Sequence, residues 1–315
     1  MSMQRNAEEI IVEAAWAYYY EDRTQNEIAG MLGVSRSSVA MYLQQAREAG
    51  LVEVRLDPAR FDTRTLAEAL RSHYGLKEVW VAPGRTGSIE RVAQLAARQL
   101  PDLLAPGDRL GVAWGQTVGT LAEYLVPKEI PDLKVLQLVG AMRTPYGFDT
   151  TNCAARIAAA FSGRVVNLHA PAILSTPELA TALRQEELIT RQLDALTEIN
   201  KVVFAVGSVN DQSHIVLCGI ATPAALEEYR KLGAVGIVLG RFVDRNGEHI
   251  EGPLDPRLIG LLPQAIRGRE MSMLVSCGAD KVLSIDAALR GGYANRLVTD
   301  LPTAEAVLAG PARAA

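Results

Sequence analysis

Thr24-Gln-Asn-Glu-Ile-Ala-Gly-Met-Leu-Gly-Val-Ser-Arg-Ser-Ser-Val39 sets the architecture of the first sixty residues. Thr24 is a helix-capping residue, and Glu27 three positions on completes a capping-box pair. The helix it opens buries Ile28, Ala29 and Leu32 and stops at Gly33, which suits a left-handed C-cap. Val34 plugs the turn. Ser35 then caps a third helix whose inner face is Val39, Leu43 and Ala46, at i, i+4 and i+7, and Gly50 ends it. Upstream, Ile10, Ile11, Ala14, Ala15 and Tyr18 recur at helical spacing, giving a first helix to about Asp22. Downstream, Leu51–Leu56 alternates like a strand. This succession has the geometry of a winged helix-turn-helix, whose third helix can enter the major groove of duplex DNA. The residues placed to face DNA are Gln25, Ser35, Arg36, Ser37, Met41 and Gln44. Either glutamine suits an adenine edge, and Arg36 a phosphate or a guanine. The amides opening the second helix can add a phosphate contact. A three-helix packing module that touches no nucleic acid is the competing reading.

Charge has to be read locally. The 315-residue chain carries 32 basic and 36 acidic residues, a net −4, which argues against bulk polyanion binding. Residues 1–60 hold six Arg, no Lys and nine acidic residues, yet Thr24–Arg47 contains two Arg and one Glu. A DNA-facing surface here is small and lysine-free, so each chain makes few phosphate contacts and tight DNA binding requires an oligomer. Hydrophobic residues at 49% and charged residues at 22% fit packed domains. No apolar run approaches the roughly 18 residues of a membrane span, and Glu8, Glu9 and Glu13 exclude a signal peptide at the N-terminus. Three widely spaced cysteines, Cys153, Cys218 and Cys277, fit a reducing cytoplasm and neither a disulfide framework nor a zinc site.

Asp57-Pro58 marks a boundary, giving a DNA-binding domain over 1–56, a connector helix within 57–75 (Phe61 to His73) and an α/β domain over 76–315. In the last, strands are expected at 78–82, 109–113, 134–138, 164–168, 201–205, 236–239, 273–276 and 296–298. Helices are expected near 88–103, 118–125, 151–161, 176–198, 223–231, 256–267, 279–290 and 302–308. Such alternation means a mainly parallel sheet covered on both faces, with ligands at the carboxyl ends of its strands. Residues 308–315 read as a frayed tail.

The Thr24–Val39 pattern, preceded by Trp16-Ala-Tyr-Tyr-Tyr20 and followed by Ala46-Arg-Glu-Ala-Gly50-Leu-Val, resembles the SorC family of sugar-responsive bacterial transcriptional regulators. The resemblance continues through Gly111-Val-Ala-Trp-Gly-Gln-Thr117, Gly233-Ala-Val-Gly236, Gly240-Arg-Phe-Val-Asp244, Pro253-Leu-Asp-x-Arg257-Leu-Ile-Gly260, Asp280-Lys281, Ala288-Leu-Arg-Gly-Gly292 and Leu297-Val-Thr-Asp300. It implies a Rossmann-like effector domain similar to ribose-5-phosphate isomerase and glucosamine-6-phosphate deaminase. It also implies dimers or tetramers, operator DNA, and a sugar, polyol or sugar-phosphate effector from a carbohydrate catabolic operon. Two departures bear on partners. Val39 is followed by Ala40-Met41 where relatives often carry a basic or polar residue. Ile237 stands where several carry an acid that accepts from effector hydroxyls.

Gly115, Gln116 and Thr117 follow a strand and open a helix, so close backbone approach and free amides can hold an anion; many such loops carry Gly for steric reasons alone. The resemblance assigns these three residues to the effector. Lys281, at a helix start where the dipole disfavours cations, reads as a solvated lysine or as an anion ligand, and the resemblance makes it an effector contact. Asn152 is either an N-cap or a partner for ligand hydroxyls, and Asp255 a ligand carboxylate or a cap before Arg257. No metal or cofactor motif occurs, and His73, His169, His214 and His249 show no catalytic spacing. A sugar-phosphate isomerase or deaminase with an accessory helical domain is the alternative, and it needs a general base beside the sugar carbons.

Overall fold

The computed structural model describes residues 7–53, 58–142 and 150–310. The chain divides into two compact units, Met1–Asp57 and Pro58–Ala315.

The first unit packs α1 (Ala7–Tyr19), α2 (Gln25–Leu32) and α3 (Arg36–Glu48) around Ala14, Ala17, Ile28, Val39 and Leu43. The capping box forms: Thr24 N donates to Glu27 Oε2 at 2.8 Å, and Thr24 Oγ1 accepts from Glu27 N. Gly33 takes φ 66°, the left-handed turn that only glycine adopts freely. Ser35 Oγ accepts from Ser38 N at 3.1 Å and caps α3. Asp22, also left-handed, turns the chain after α1, which ends at Tyr19 rather than Asp22. Of the strand expected at Leu51–Leu56, Leu51–Glu53 carry no strand, and 54–56 lie outside the described residues.

The second unit begins with α4 (Pro58–Tyr74), whose Leu70 is fully buried. It continues β1 (Glu78–Ala82), α5 (Ile89–Gln99), β2 (Arg109–Val112), α6 (Gln116–Glu123), β3 (Lys134–Gln137), α7 (Thr150–Ala160) and β4 (Arg164–Val166). Then come α8 (Pro177–Gln185), α9 (Glu187–Thr197), β5 (Lys201–Phe204), β6 (Val206–Gly207), α10 (His214–Leu217) and α11 (Pro223–Lys231). Last are β7 (Gly236–Val238), β8 (Arg241–Val243), β9 (Met271–Val275), α12 (Val282–Arg290), β10 (Arg296–Asp300) and α13 (Leu301–Ala309).

Seven strands form one parallel sheet in the order β1-β10-β9-β5-β2-β3-β4. Side chains alternate between its faces: Val202 and Phe204 of β5 enter one apolar core, with α4, α8, α9 and α11–α13, while Val203 enters the other, with α5–α7. From β2 the chain runs outward through β3 and β4, then returns to β5 on the other side and proceeds through β9 to β10. The winding direction reverses between β2 and β5, the kind of switch point at which open parallel sheets leave a crevice at the carboxyl ends of the strands.

The 236–239 segment differs from expectation. It pairs antiparallel with β6 and β8 in a separate three-stranded arm. The helix expected over 176–198 breaks at Glu186, whose ψ of 130° is extended. The one expected over 256–267 is replaced by two 3₁₀ turns, Asp255–Arg257 and Pro263–Ile266. Pro256 and Pro263 cannot donate to a helical ladder. Between them Gly260, at φ 147°, lies so close to Leu138 O that a Cβ would sit 2.8 Å from it. Among the described residues no helix is long and apolar enough to cross a membrane.

Candidate functional site

The carboxyl ends of the central strands open onto a cavity of about 490 Å³. Its floor is Gly115, Gln116 and Thr117, between β2 and the first turn of α6. Gly115 is the N-cap of α6, and no side chain caps that helix. The first-turn amides therefore face the cavity without a partner side chain, which is the arrangement that binds an oxyanion. A Cβ on Gly115 would stand 3.1 Å from the Ala205 Cβ, so glycine permits the approach of the β2 and β5 loops. Lys281, at the start of α12, lines the same cavity together with Gly278 and Cys277 from the β9 loop. A positive side chain and free helix amides share one space.

The remaining walls divide by chemistry. Trp114, Val206, Ile215, Ile237 and Leu239 supply an apolar surface. Three carboxylates, Glu90, Asp280 and Asp300, also reach the lining. Asp300 is committed to the fold, accepting from Ser88 N and Thr303 N, each at 3.1 Å. Glu90 accepts from Ser88 Oγ at 3.0 Å, and Asp280 is exposed. Carboxylates of this kind accept from hydroxyls. Burial, together with the positive charge of Lys281, holds the His214 imidazole below its ordinary pKa. Burial pushes the Cys277 thiol up to about 12, and the Asp300 carboxylate adds to the rise. Cys277 is therefore a neutral thiol at physiological pH and no nucleophile.

Four of the six effector residues expected from sequence, Gly115, Gln116, Thr117 and Lys281, line this cavity together. The other two do not. Asn152 is exposed on the first turn of α7, and residues 143–149 before that helix lie outside the described residues. Asp255 sits beneath the antiparallel arm. There it accepts from Tyr229 OH at 2.6 Å, His249 Nε2 at 2.7 Å, Gly252 N at 2.9 Å and the buried Arg241 guanidinium at 2.9 Å. Burial alone would raise the Asp255 carboxyl; the bonds from His249, Tyr229 and the Gly252 amide, with the Arg241 charge, bring it down to about 2. Residues that sequence reasoning passed over are Ser208, Ser213, His214 and Leu239, all lining the cavity. The signal was present for Ser208, which follows the carboxyl end of β5, where open parallel sheets bind ligands.

On the first unit, Ser35, Arg36, Ser37, Met41 and Gln44 are exposed along α3 and its cap, and Gln25 is half-buried on α2. Arg36 Nε donates to Gln25 Oε1 at 3.5 Å, bringing those two side chains together. Gln44 Nε2 donates to Glu48 Oε1 at 2.8 Å. At the start of α2 the capping box engages the Glu27 amide, and hydrogen bonds from Thr24 hold the Glu27 carboxyl below its usual range.

Residues 60–309 match a protein family described as "Putative sugar-binding domain". The chain is 33% identical to the transcriptional regulator YjhU of Escherichia coli K12, over 95% of this chain and 94% of that protein. It is 31% identical to the deoxyribonucleoside regulator of Bacillus subtilis, over 97% and 99% respectively. In structure it is similar to the full-length sorbitol operon regulator SorC of Klebsiella pneumoniae, with TM-score 0.73, 24% identity, and coverage of 96% of this chain and 99% of that one.

Proposed function

Because the chain belongs to the SorC family of sugar-binding transcriptional regulators, we propose that it binds operator DNA through α3 and releases or engages that DNA when a phosphorylated sugar or polyol enters the cavity above α6. The chain is a transcriptional regulator and not an enzyme, as its homologues are. The observation that carries the effector assignment is the uncapped N-terminus of α6 sharing a cavity with Lys281. A phosphate on the Gly115–Thr117 amides meets the helix dipole and the ammonium at once. The Glu90 and Asp280 carboxylates then accept from the hydroxyls of the carbon skeleton. The operon so controlled is one of carbohydrate catabolism, in keeping with the deoxyribonucleoside and sorbitol-operon names of the relatives. The protein works in the cytoplasm as a homodimer or homotetramer, because paired half-sites make up for the few phosphate contacts of one protomer.

A route from the cavity to α4 follows from packing within the second unit. α12 starts at Lys281 in the cavity, and its Asp286 accepts from Tyr74 OH at 2.6 Å, at the far end of α4. α4 is the helix that follows the DNA-binding unit in the chain. Ligand binding alters DNA affinity only through a difference in affinity between two arrangements, worth about 1–3 kcal/mol in ordinary allosteric proteins.

Two measurements bear on the two halves of the proposal. Thermal unfolding with phosphorylated and free tetritols, pentoses and hexoses should show a rise in Tm for at least one phosphate ester and a smaller one for its free counterpart; a free sugar that stabilises as strongly would remove the anion site. Arg36→Ala should weaken operator binding by about 1–3 kcal/mol. If Arg36 meets phosphate, the loss is the same for all sequences and the salt dependence falls by about one charge; if it meets guanine, one position loses preference. Unchanged affinity in a mobility-shift titration would take Arg36 out of the interface.

A further inference from the structure

The structure assigns Ser213 as a second polar anchor for the effector, one that reads the hydroxylated carbon skeleton rather than the anionic group. This rests on the effector reading above and deepens it. Ser213 is the N-cap residue of the short helix α10, yet its hydroxyl caps nothing. Among the described residues the other Ser and Thr N-caps, Thr24, Ser35, Ser88, Thr176 and Thr222, each accept from a first-turn amide, as capping chemistry predicts. The Ser213 backbone is fixed: its N–H donates to Asn210 O at 2.9 Å, and its carbonyl accepts from Val216 N at 3.0 Å and Leu217 N at 3.1 Å. The residue is 4% exposed and lines the cavity, and its Oγ has no hydrogen-bond partner.

A buried hydroxyl without a partner costs about 1–3 kcal/mol of desolvation, and native folds rarely keep one without a use. The distribution of such groups is informative. Among the described residues the buried hydroxyls without partners are those of Thr117, Ser213, Ser276 and Thr299. Thr117 and Ser213 line the cavity, while Ser276 and Thr299 each immediately precede a lining residue, Cys277 and Asp300. Thr117 belongs to the anion floor on α6. Ser213 stands on a different element, beside Gln212, His214 and Ile215. A ligand held at both is bipartite, with a phosphate at one end and a hydroxyl or carbonyl oxygen at the other. Inorganic phosphate satisfies only the first.

The test is calorimetric titration of the full chain and of Ser213→Ala with inorganic phosphate and with the phosphate ester that binds the wild type most tightly among tetritol, pentose and hexose phosphates. The affinity of Ser213→Ala for inorganic phosphate is expected to stay within twofold of wild type. Its affinity for the ester is expected to fall roughly 3- to 10-fold, the worth of one net hydrogen bond. The ligand-free Tm should stay level or rise, because the substitution removes an unsatisfied buried group; a merely structural hydroxyl would instead lower it. Equal ester affinity in the two proteins overturns the assignment, and so does an equal loss for phosphate and ester, which would place Ser213 in the anion floor. A wild-type chain that binds ester and phosphate equally defeats the bipartite ligand while leaving the anion floor standing. One that binds neither defeats both.

Discussion

Asp255→Ala is expected to destabilise the second unit by roughly 3–5 kcal/mol, the cost of leaving a buried charge without its partner. Arg241, with 6% of its side chain exposed, pairs with Asp255 Oδ1 and also donates to the Asp255 and Leu258 carbonyls. Removing the carboxylate strands that guanidinium. It also takes away the acceptor of Tyr229 OH, which keeps only the hydrogen bond from Leu254 N, and whose ring stacks on Phe242 of β8 at 3.7 Å between centroids. The antiparallel arm that brings Ile237 and Leu239 to the cavity is thereby loosened at its base, so effector binding should weaken along with stability. Urea unfolding measures the effect, and a change below about 1 kcal/mol would show that the cluster contributes little. The pH dependence has a definite sign. The folded carboxyl lies at about 2 against an ordinary 3.8, so its contribution, about 2 kcal/mol, is present above pH 4 and is lost as pH falls through about 2.

Lys281→Ala should abolish the effector response while leaving the ligand-free affinity for operator as it was. The ammonium and the α6 amides are the positive groups this cavity offers beside its carboxylates. A hydrogen bond to a charged group contributes about 1.5–3 kcal/mol, so affinity for a phosphorylated effector should fall roughly 10- to 150-fold. The backbone at this position is retained in alanine, since Lys281 N donates to Gly278 O at 3.0 Å regardless of side chain. The substitution thus tests the charge and not the start of α12. An undiminished response of operator binding to the ester would remove Lys281 from the site.

Local signals were legible in sequence where they are self-contained. Thr24 with Glu27, Gly33 and Ser35 each act within one turn of helix, and all four take the expected conformation. The parallel strands were legible because they are short apolar runs alternating with helical stretches, and the Gly115–Thr117 loop because it sits where such a strand ends. The antiparallel arm was not: β6 and β8 are two and three residues long, too short for alternation to show. The Asp255 cluster was invisible for a different reason. Its partners Tyr229, Arg241 and His249 stand 26, 14 and 6 residues away, on α11, on β8 and in the segment after β8, so only the folded arm brings them to one carboxylate. The role of Ser213 was hidden by its resemblance to an ordinary N-cap, and only the unmade cap sets it apart.

The central claim is that a phosphorylated, hydroxylated ligand in the α6 cavity changes the affinity of this chain for DNA. Fluorescence anisotropy of a labelled operator fragment, titrated with the full chain in the presence and absence of each phosphate ester, tests it most directly. The account predicts that at least one ester shifts operator affinity by about 5- to 150-fold, that its dephosphorylated form does so far less, and that the ester is recovered unchanged. Operator affinity that no ester alters, or an ester that is isomerised or deaminated during the titration, would contradict it.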